Sequence, residues 1–304
     1  MKGKSLVAVV LSMIFWSFSF VWFKIANKDY DPITIVFIRL CIAVTLLSAF
    51  LWITKGFTPI LKGDKKYFIL LAIFEPFLYF LGESFGLTFV SSTVGSVIIS
   101  TIPVFAVLFA WIFFREKLKP LNYAGVIISF LGVLIFITSS NGSLTMSMKG
   151  LSLLLLAVIS AIGYNMILHK LAHKYSPILI VDIQNLIGMI LFLPLFLIFD
   201  LKKLLATGIV PESFSSIVLL AIFASSGAFV LFAYSVRYIG ISRANVFANL
   251  IPVFTAIFAF ILMKDKMTLR NMAGMAVVIA GLFLSQAGKK ESPETDIDLA
   301  GRSA

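Results

Sequence analysis

Cysteine is nearly missing from this chain: Cys41 stands alone among 304 residues. A lone thiol excludes an internal disulfide and leaves the redox compartment open. Charge is scarce as well. Asp, Glu, Lys and Arg make up 13% of the residues while hydrophobic ones make up 60%. An ordinary soluble domain carries about 25% charged residues, so that class is excluded. Acidic residues are the rarer sign, 14 against 25 basic, for a net charge of +11. In a soluble protein this excess would suggest nucleic acid. Here the basic residues fall between apolar spans, so membrane topology explains them and no nucleic-acid partner is expected. What is abundant is phenylalanine, 31 residues, suited to lipid-facing and bundle-filling positions.

The N-terminus begins with Lys2 and Lys4 ahead of an apolar stretch, as a signal peptide would. The run from Ser5 to Ala26 is longer than a usual signal core and lacks a convincing small-residue cleavage site. It reads as a retained first helix. A crossing needs about 20 apolar residues, and ten windows qualify: 5–26, 32–54, 67–87, 91–114, 121–139, 150–171, 177–199, 214–236, 242–263 and 269–287. Lipid cannot satisfy backbone polar groups, so these spans are expected to be helices.

Two of them carry the same sentence twice. Ile102-Pro103-Val104-Phe105, Lys117, Asn122, Gly125 and Gly132 recur as Ile251-Pro252-Val253-Phe254, Lys266, Asn271, Gly274 and Gly281, at a constant offset of 149 residues. A long-period repeat of membrane helices is the architecture of secondary transporters, with the substrate site between the halves. Lys and Arg counted on alternate sides of the spans, N-terminus inside, divide sixteen against seven. Both termini are therefore expected in the cytoplasm. Five spans per half is an odd number, so the second half must enter upside down. The loop Arg115–Lys119 is then cytoplasmic and its counterpart Lys264–Thr268 faces outward. The expected fold is an all-α integral membrane protein of ten transmembrane helices in a 5+5 inverted repeat. Its halves are 1–140 and 141–288, with a disordered cytoplasmic tail over 289–304.

The chain resembles the ten-helix EamA-type branch of the drug/metabolite transporter superfamily. The resemblance is carried by Trp16-Ser17-Phe18-Ser19-Phe20 and Lys24, by Pro32 and Arg39, and by the Pro103 and Pro252 segments with their charged ends at 115–118 and 264–267. It covers nearly the whole chain to Gln286. The second half departs from the first where Trp16 aligns with Ala161 and Arg39 with Gln184. The resemblance implies an inverted bundle, alternating access, efflux as the commonest direction, and no enzymatic activity. It implies a structural part for Arg39, since the family carries a basic residue there across diverse substrates.

Candidate site residues follow from polar groups inside the spans. Ser96, Ser100 and Pro103 align with Asn245, Asn249 and Pro252 at spacing i, i+4, i+7, one helix face in each half. Each stripe ends at a proline that removes a backbone hydrogen bond and breaks the helix. The competing reading is packing glue between helices. Glu75, Tyr79 and Glu83 are also spaced four apart. Intramembrane carboxylates cost roughly 2.5–3.5 kcal/mol each on the insertion scale and are functional candidates by default. They are read as proton-coupling or ammonium-binding groups, set against a structural reading in which Glu75 serves the Pro76 kink and Glu83 a Gly82–Gly86 packing face. Trp16, Ser19, Tyr164, Asn165 and Tyr234 match positions that line the cavity in the resembling family, against ordinary core packing. Lys24 is expected to snorkel, and Asp182 to reach the cytoplasmic interface. His169 and His173 have helical metal spacing without a third ligand, so no metal and no cofactor are expected. The glycine pairs Gly125/Gly132 and Gly274/Gly281 are read as sites of close helix approach.

The function expected is secondary active transport of a small metabolite, amino acid or drug across the cytoplasmic (inner) membrane of a bacterium. Export is the expected direction and proton coupling an added option. The alternatives are an uptake permease of the same fold and a non-transporting scaffold or receptor. The partners are the small-molecule substrate and the lipid bilayer, in a monomer or homodimer.

Overall fold

The computed structural model describes residues 2–105, 120–137, 147–264 and 268–286. The basic loop at 115–119, residues 265–267 of its counterpart, the linker at 139–142 and the tail from 289 lie outside the described residues. Those described form helical rods without a strand. They are α1 (Lys2–Ala26), α2 (Pro32–Ile53), α3 (Lys65–Thr88), α4 (Ser92–Phe105), α5 (Pro120–Ile137), α6 (Met148–Ala172), α7 (Pro177–Thr207), α8 (Pro211–Ile239), α9 (Arg243–Met263) and α10 (Leu269–Gln286). Seven of them, α1 to α3 and α6 to α9, are long and apolar enough to cross a membrane. The apolar stretches in α4, α5 and α10 are shorter among the described residues.

Local chemistry sets the ends. Proline opens α2, α7 and α8, where its missing N–H costs nothing. Ser91, Ser147 and Ser176 cap α4, α6 and α7 by accepting a backbone N–H from Val94, Lys149 and Leu179. Gly208 and Gly240 end α7 and α8 with φ of +68° and +80°, a region that glycine enters freely.

Several rods are interrupted. Within α3, Glu75 takes an extended conformation (φ −148°, ψ 118°) before Pro76, inside a wide turn at Ile73–Leu78, and the Glu75–Pro76 bond is cis. The α-helical part of α4 stops at Ile99. Ser100 and Thr101 form a turn, and helix resumes at Ile102. In α9 the α-helix gives way to a 3₁₀ turn at Phe247–Leu250 and restarts at Ile251–Phe258. The prolines of the repeated segment thus sit just past a break in each copy.

Among the described residues the pairings include α1 on α8, α3 on α6, α2 on α7, α4 on α9 and α5 on α10, with α1 also against α9, α2 against α8 and α3 against α7. Along α2 and α7, Thr34 meets Asp200, Phe37 stacks on Phe196 at 4.5 Å, and Ser48 bonds Asp182. Ascending numbers on one helix meet descending numbers on the other, so the pair is antiparallel. α5 and α10 are antiparallel too. Gly132 lies against the backbone of Val278 and Gly274, and Gly281 against Ser129 and Gly125. The glycine pairs approach each other, as their repetition predicted. Gly82 likewise packs against the backbone of Leu153 and Ala157 on α6. Outside the bundle, Trp52, Ile53, Phe199 and Leu269 are exposed, as lipid-facing side chains should be.

Candidate functional site

The break in α3 sets the geometry of the site. Glu75, Tyr79 and Glu83 are all turned inward, the two carboxylates only 6% and 7% exposed. The Tyr79 hydroxyl donates to Glu83 Oε1 at 3.0 Å. Arg39, on α2, is 3% exposed and lies within the electrostatic reach of Glu83, Tyr79 and Glu75. No described acidic group comes within ion-pair distance of it. Its guanidinium lies over the Phe80 ring, 4.2 Å from the centroid, and Nε donates to Ser225 Oγ at 2.7 Å. Ser225 sits in the wide turn at Leu220–Ala228 of α8. Its carbonyl accepts from Asn185 Nδ2 on α7 at 3.0 Å. Arg39 therefore ties α2, α3 and α8 together by stacking and hydrogen bonding.

Tyr164 on α6 joins this cluster to an aromatic one. Its buried hydroxyl lies beside Gln184 and near Glu75. Its ring meets Phe229 edge-on at 6.1 Å, and Trp16 packs on Phe229 and Phe232 at 5.2 and 5.1 Å. The Ser19 hydroxyl is spent on the Trp16 carbonyl at 2.6 Å. A further link crosses from α6 to α9, where Asn165 Nδ2 donates to Asn245 Oδ1 at 3.4 Å.

Several buried polar atoms in this region have no partner among the described residues. They are the Tyr164 hydroxyl, both side-chain polar atoms of Gln184 and of Asn249, and Asn185 Oδ1. Native structures rarely leave such groups unpaired, because each costs roughly 1–3 kcal/mol. Gln184 and Asn185 were missed as site residues. Their signal was available as two adjacent amides in an apolar span, of which only Gln184 was noticed, as the partner of Arg39 in the repeat.

The two serine/asparagine stripes are not the continuous faces that their spacing suggested. In the first copy Ser100 still bonds Ser96 in the regular helical way, its N–H donating to the Ser96 carbonyl at 2.9 Å, and the break follows it and separates Pro103 from the stripe. In the second copy the 3₁₀ turn at Phe247–Leu250 advances the chain by about 120° per residue instead of 100°, which rotates Asn249 off the expected line. Ser96 and Ser100 are fully buried and donate to their own helix, at Thr93 and Val97 carbonyls. Pro252 is buried at the start of the resumed helix, as Pro103 is in the first copy. Tyr234 is half-buried and packs on Tyr238 at 4.7 Å, apart from the Trp16 group. Asp182 lies near the start of α7. It is buried and accepts from Ser48 at 2.8 Å. His169 and His173 pack ring edge to ring face at 5.1 Å.

This buried arrangement offers hydrogen-bonding groups, aromatic faces and charge, and it is assembled from spans throughout the chain. The family model for EamA-like transporters matches residues 3–138 and 148–286. The chain belongs to the EamA-like transporter family. An uncharacterized transporter of Archaeoglobus fulgidus is 30% identical over 281 residues, 92% of this chain and 98% of its own length. A second from the same organism is 27% identical over 297 residues, 94% and 99% of the two chains. The uncharacterized transporter YetK of Bacillus subtilis is 24% identical over 252 residues, 82% and 76% of the two chains. One solved crystal structure, 15% identical, superposes with a TM-score of 0.68 over 94% of this chain and 98% of its own, a likeness of fold alone. This EamA-like chain is accordingly an integral membrane transporter and not an enzyme, and its partners are a lipid bilayer and a small-molecule substrate.

Proposed function

We propose that the chain is a secondary active transporter whose two halves form a 5+5 inverted repeat of ten membrane helices and pass a small solute between them by alternating access. The observation that carries this reading is the set of unpaired buried groups on Tyr164, Gln184, Asn185 and Asn249. They come from α6, α7 and α9, and those on α6 and α7 lie close to the Arg39 and carboxylate cluster, Tyr164 near Glu75 and Asn185 on the Ser225 that Arg39 bonds. A solute bearing hydrogen-bonding groups would complete them, and the Trp16, Tyr164 and Phe229 rings would hold its apolar part.

The helix pairings support the inverted repeat. An exchange of halves sends α1 to α6, α2 to α7, and so on. It leaves the α2–α7, α4–α9 and α5–α10 pairs unchanged and turns the α1–α8 pair into the α6–α3 pair. All of these contacts are made. At the glycine seam, Gly132 on Val278 becomes Gly281 on Ser129 under the 149-residue offset, and both are present. The family match to two successive stretches is in keeping with the same division.

The solute class proposed is a small metabolite, amino acid or amphipathic drug, exported across the cytoplasmic membrane with both termini inside. Counterflow into proteoliposomes with a metabolite panel tests the core of this. Saturable exchange is expected, and its absence in folded protein overturns the reading. Proton coupling by Glu83 or Glu75 predicts that Glu83→Gln or Glu75→Gln keeps counterflow but loses accumulation driven by a pH gradient. If both variants accumulate solute as the wild type does, the carboxylates do not couple protons.

A further inference from the structure

A second repeated phrase lies outside the substrate region. Tyr30-Asp31-Pro32-Ile33 recurs as Tyr175-Ser176-Pro177-Ile178, and Ile35-Val36 as Ile180-Val181, each 145 residues on. Each tyrosine precedes the proline that opens a helix, α2 or α7, and each is buried, 4% and 6% exposed.

Their hydroxyls do the same thing at opposite ends of α2. The Tyr30 hydroxyl accepts from the Val210 N–H at 2.8 Å and donates to the Gly208 carbonyl at 3.0 Å. The Tyr175 hydroxyl accepts from the Leu61 N–H at 3.1 Å and donates to Asp64 Oδ2 at 2.9 Å. Leu61 and Val210 are themselves 149 residues apart, the offset of the longer repeat. So the α1–α2 connection is tied to the α7–α8 connection at one end, and the α6–α7 connection to the α2–α3 connection at the other. An exchange of halves turns one tie into the other. The 22 residues of α2 separate them by about 33 Å.

Charges reinforce each tie. Beside Tyr30, Lys203 pairs with Asp31 at 2.7 Å, and the Ser213 hydroxyl donates to Asp29. A surface cavity of about 400 Å³ opens between these groups, with Asn27, Tyr30 and Lys203 in its wall. Beside Tyr175, Lys174 pairs with Asp64 at 3.3 Å, and Arg237 Nη1 reaches the Tyr175 carbonyl at 3.5 Å.

We propose that Tyr30 and Tyr175 are paired gate residues, each holding one membrane face of the transporter closed and each released when that face opens. The inference rests on the alternating-access reading above. In an inverted repeat, the contact that shuts one face has a counterpart that shuts the other, and these two are reciprocal donor for donor. Each consists of a few hydrogen bonds, weak enough to break and re-form within a transport cycle. The two differ in one respect. Tyr175 donates to a carboxylate and Tyr30 to a neutral carbonyl, and charge-assisted bonds are the stronger kind. The Tyr175 gate is therefore the tighter of the two.

The test uses Asn245→Cys as reporter in a Cys41→Ser background, labelled by a membrane-impermeant maleimide from either face in right-side-out and inside-out vesicles. Tyr30→Phe should raise labelling from the Tyr30 face at least threefold relative to the other face. Tyr175→Phe should shift the ratio the opposite way and further. The double variant should return the ratio towards the wild type while melting at a lower temperature than either single variant. If both single variants lower the melting temperature but leave the ratio unchanged, or move it in the same direction, the tyrosines are fixed anchors and the proposal fails. A reporter inert from both faces in the wild type would overturn alternating access itself, and the gates with it.

Discussion

Arg39 shows how a buried cation can be held without an ion pair. Stacking on Phe80 and a hydrogen bond to Ser225 both exploit the flat, forked guanidinium, which lysine lacks. Arg39→Lys should therefore destabilise the protein by about 2–3 kcal/mol, the combined scale of a desolvated cation–π contact and a charged hydrogen bond. Thermal unfolding of the purified protein would measure it, and a melting temperature equal to that of the wild type would refute it. Asp64, outside the membrane spans, gives a prediction in pH. Burial works against its carboxylate, but the Tyr175 hydroxyl and Lys174 ammonium outweigh that and hold it below the ordinary carboxylate range. A group depressed in this way stabilises the folded chain at neutral pH and loses its effect as pH falls through about 4 and below. The melting temperature of the wild type should exceed that of Asp64→Asn at pH 7, and the gap should narrow as pH falls below about 4.

Single residues were the least legible part of the sequence. Glu75, Tyr79 and Glu83 could be named because carboxylates in an apolar span stand out. Which of them Arg39 would touch could not, because that depends on α8 bringing Ser225 to the same place from 186 positions further along. Asn185 was passed over for a related reason. An amide in a span looks like ordinary packing until its carbonyl oxygen is found buried without a donor.

Elements were far more legible. The expected spans and the observed rods agree to within a few residues through most of the chain, since apolar length alone decides where lipid demands a helix. The interruptions were only half visible. Proline marked α3, α4 and α9 as irregular, but in α4 and α9 the break lies upstream of the proline, and a spacing argument that assumes a regular helix misplaces Asn249. The glycines were legible both as a motif and as a close approach. A Cβ on Gly132 would stand 2.5 Å from the Val278 nitrogen, and one on Gly281 would overlap the Ser129 backbone. Gly132→Ala and Gly281→Ala should each cost about 1–3 kcal/mol by forcing α5 and α10 apart. The double variant should cost less than the sum, because the first substitution already opens the seam that the second would open. Gly63→Ala, with open space around its Cβ, is the control and should be neutral within about 0.5 kcal/mol. Melting temperatures of the four proteins decide this.

On the scale of the whole molecule, charge predicts orientation and packing predicts which loops share a face. Lys28, Lys203 and Glu212 gather at one end of the bundle, and Asp64, Lys174 and Arg237 at the other. The sixteen-to-seven division of basic residues assigns the second end to the cytoplasm. An impermeant thiol reagent added to intact cells should label Lys28→Cys and leave Lys62→Cys untouched, and the opposite pattern would invert the topology. The proposed division into halves rests on the repeat, which the sequence displays. The gates were not readable there, because Tyr30 and Tyr175 look like ordinary loop tyrosines until their hydroxyls are seen to take the same backbone donor in each half.

The seam between α5 and α10 also has a consequence in time. Its two sides lie 149 residues apart in a chain that is made from one end. At about 5–20 residues per second, α5 enters the membrane roughly seven to thirty seconds before α10 exists. Through that interval the glycine face of α5 lacks the backbone it packs on, because that partner is still being translated. A helix made late is thus the one that closes this seam, and a ribosome stalled before it leaves α5 inserted without the partner it packs on.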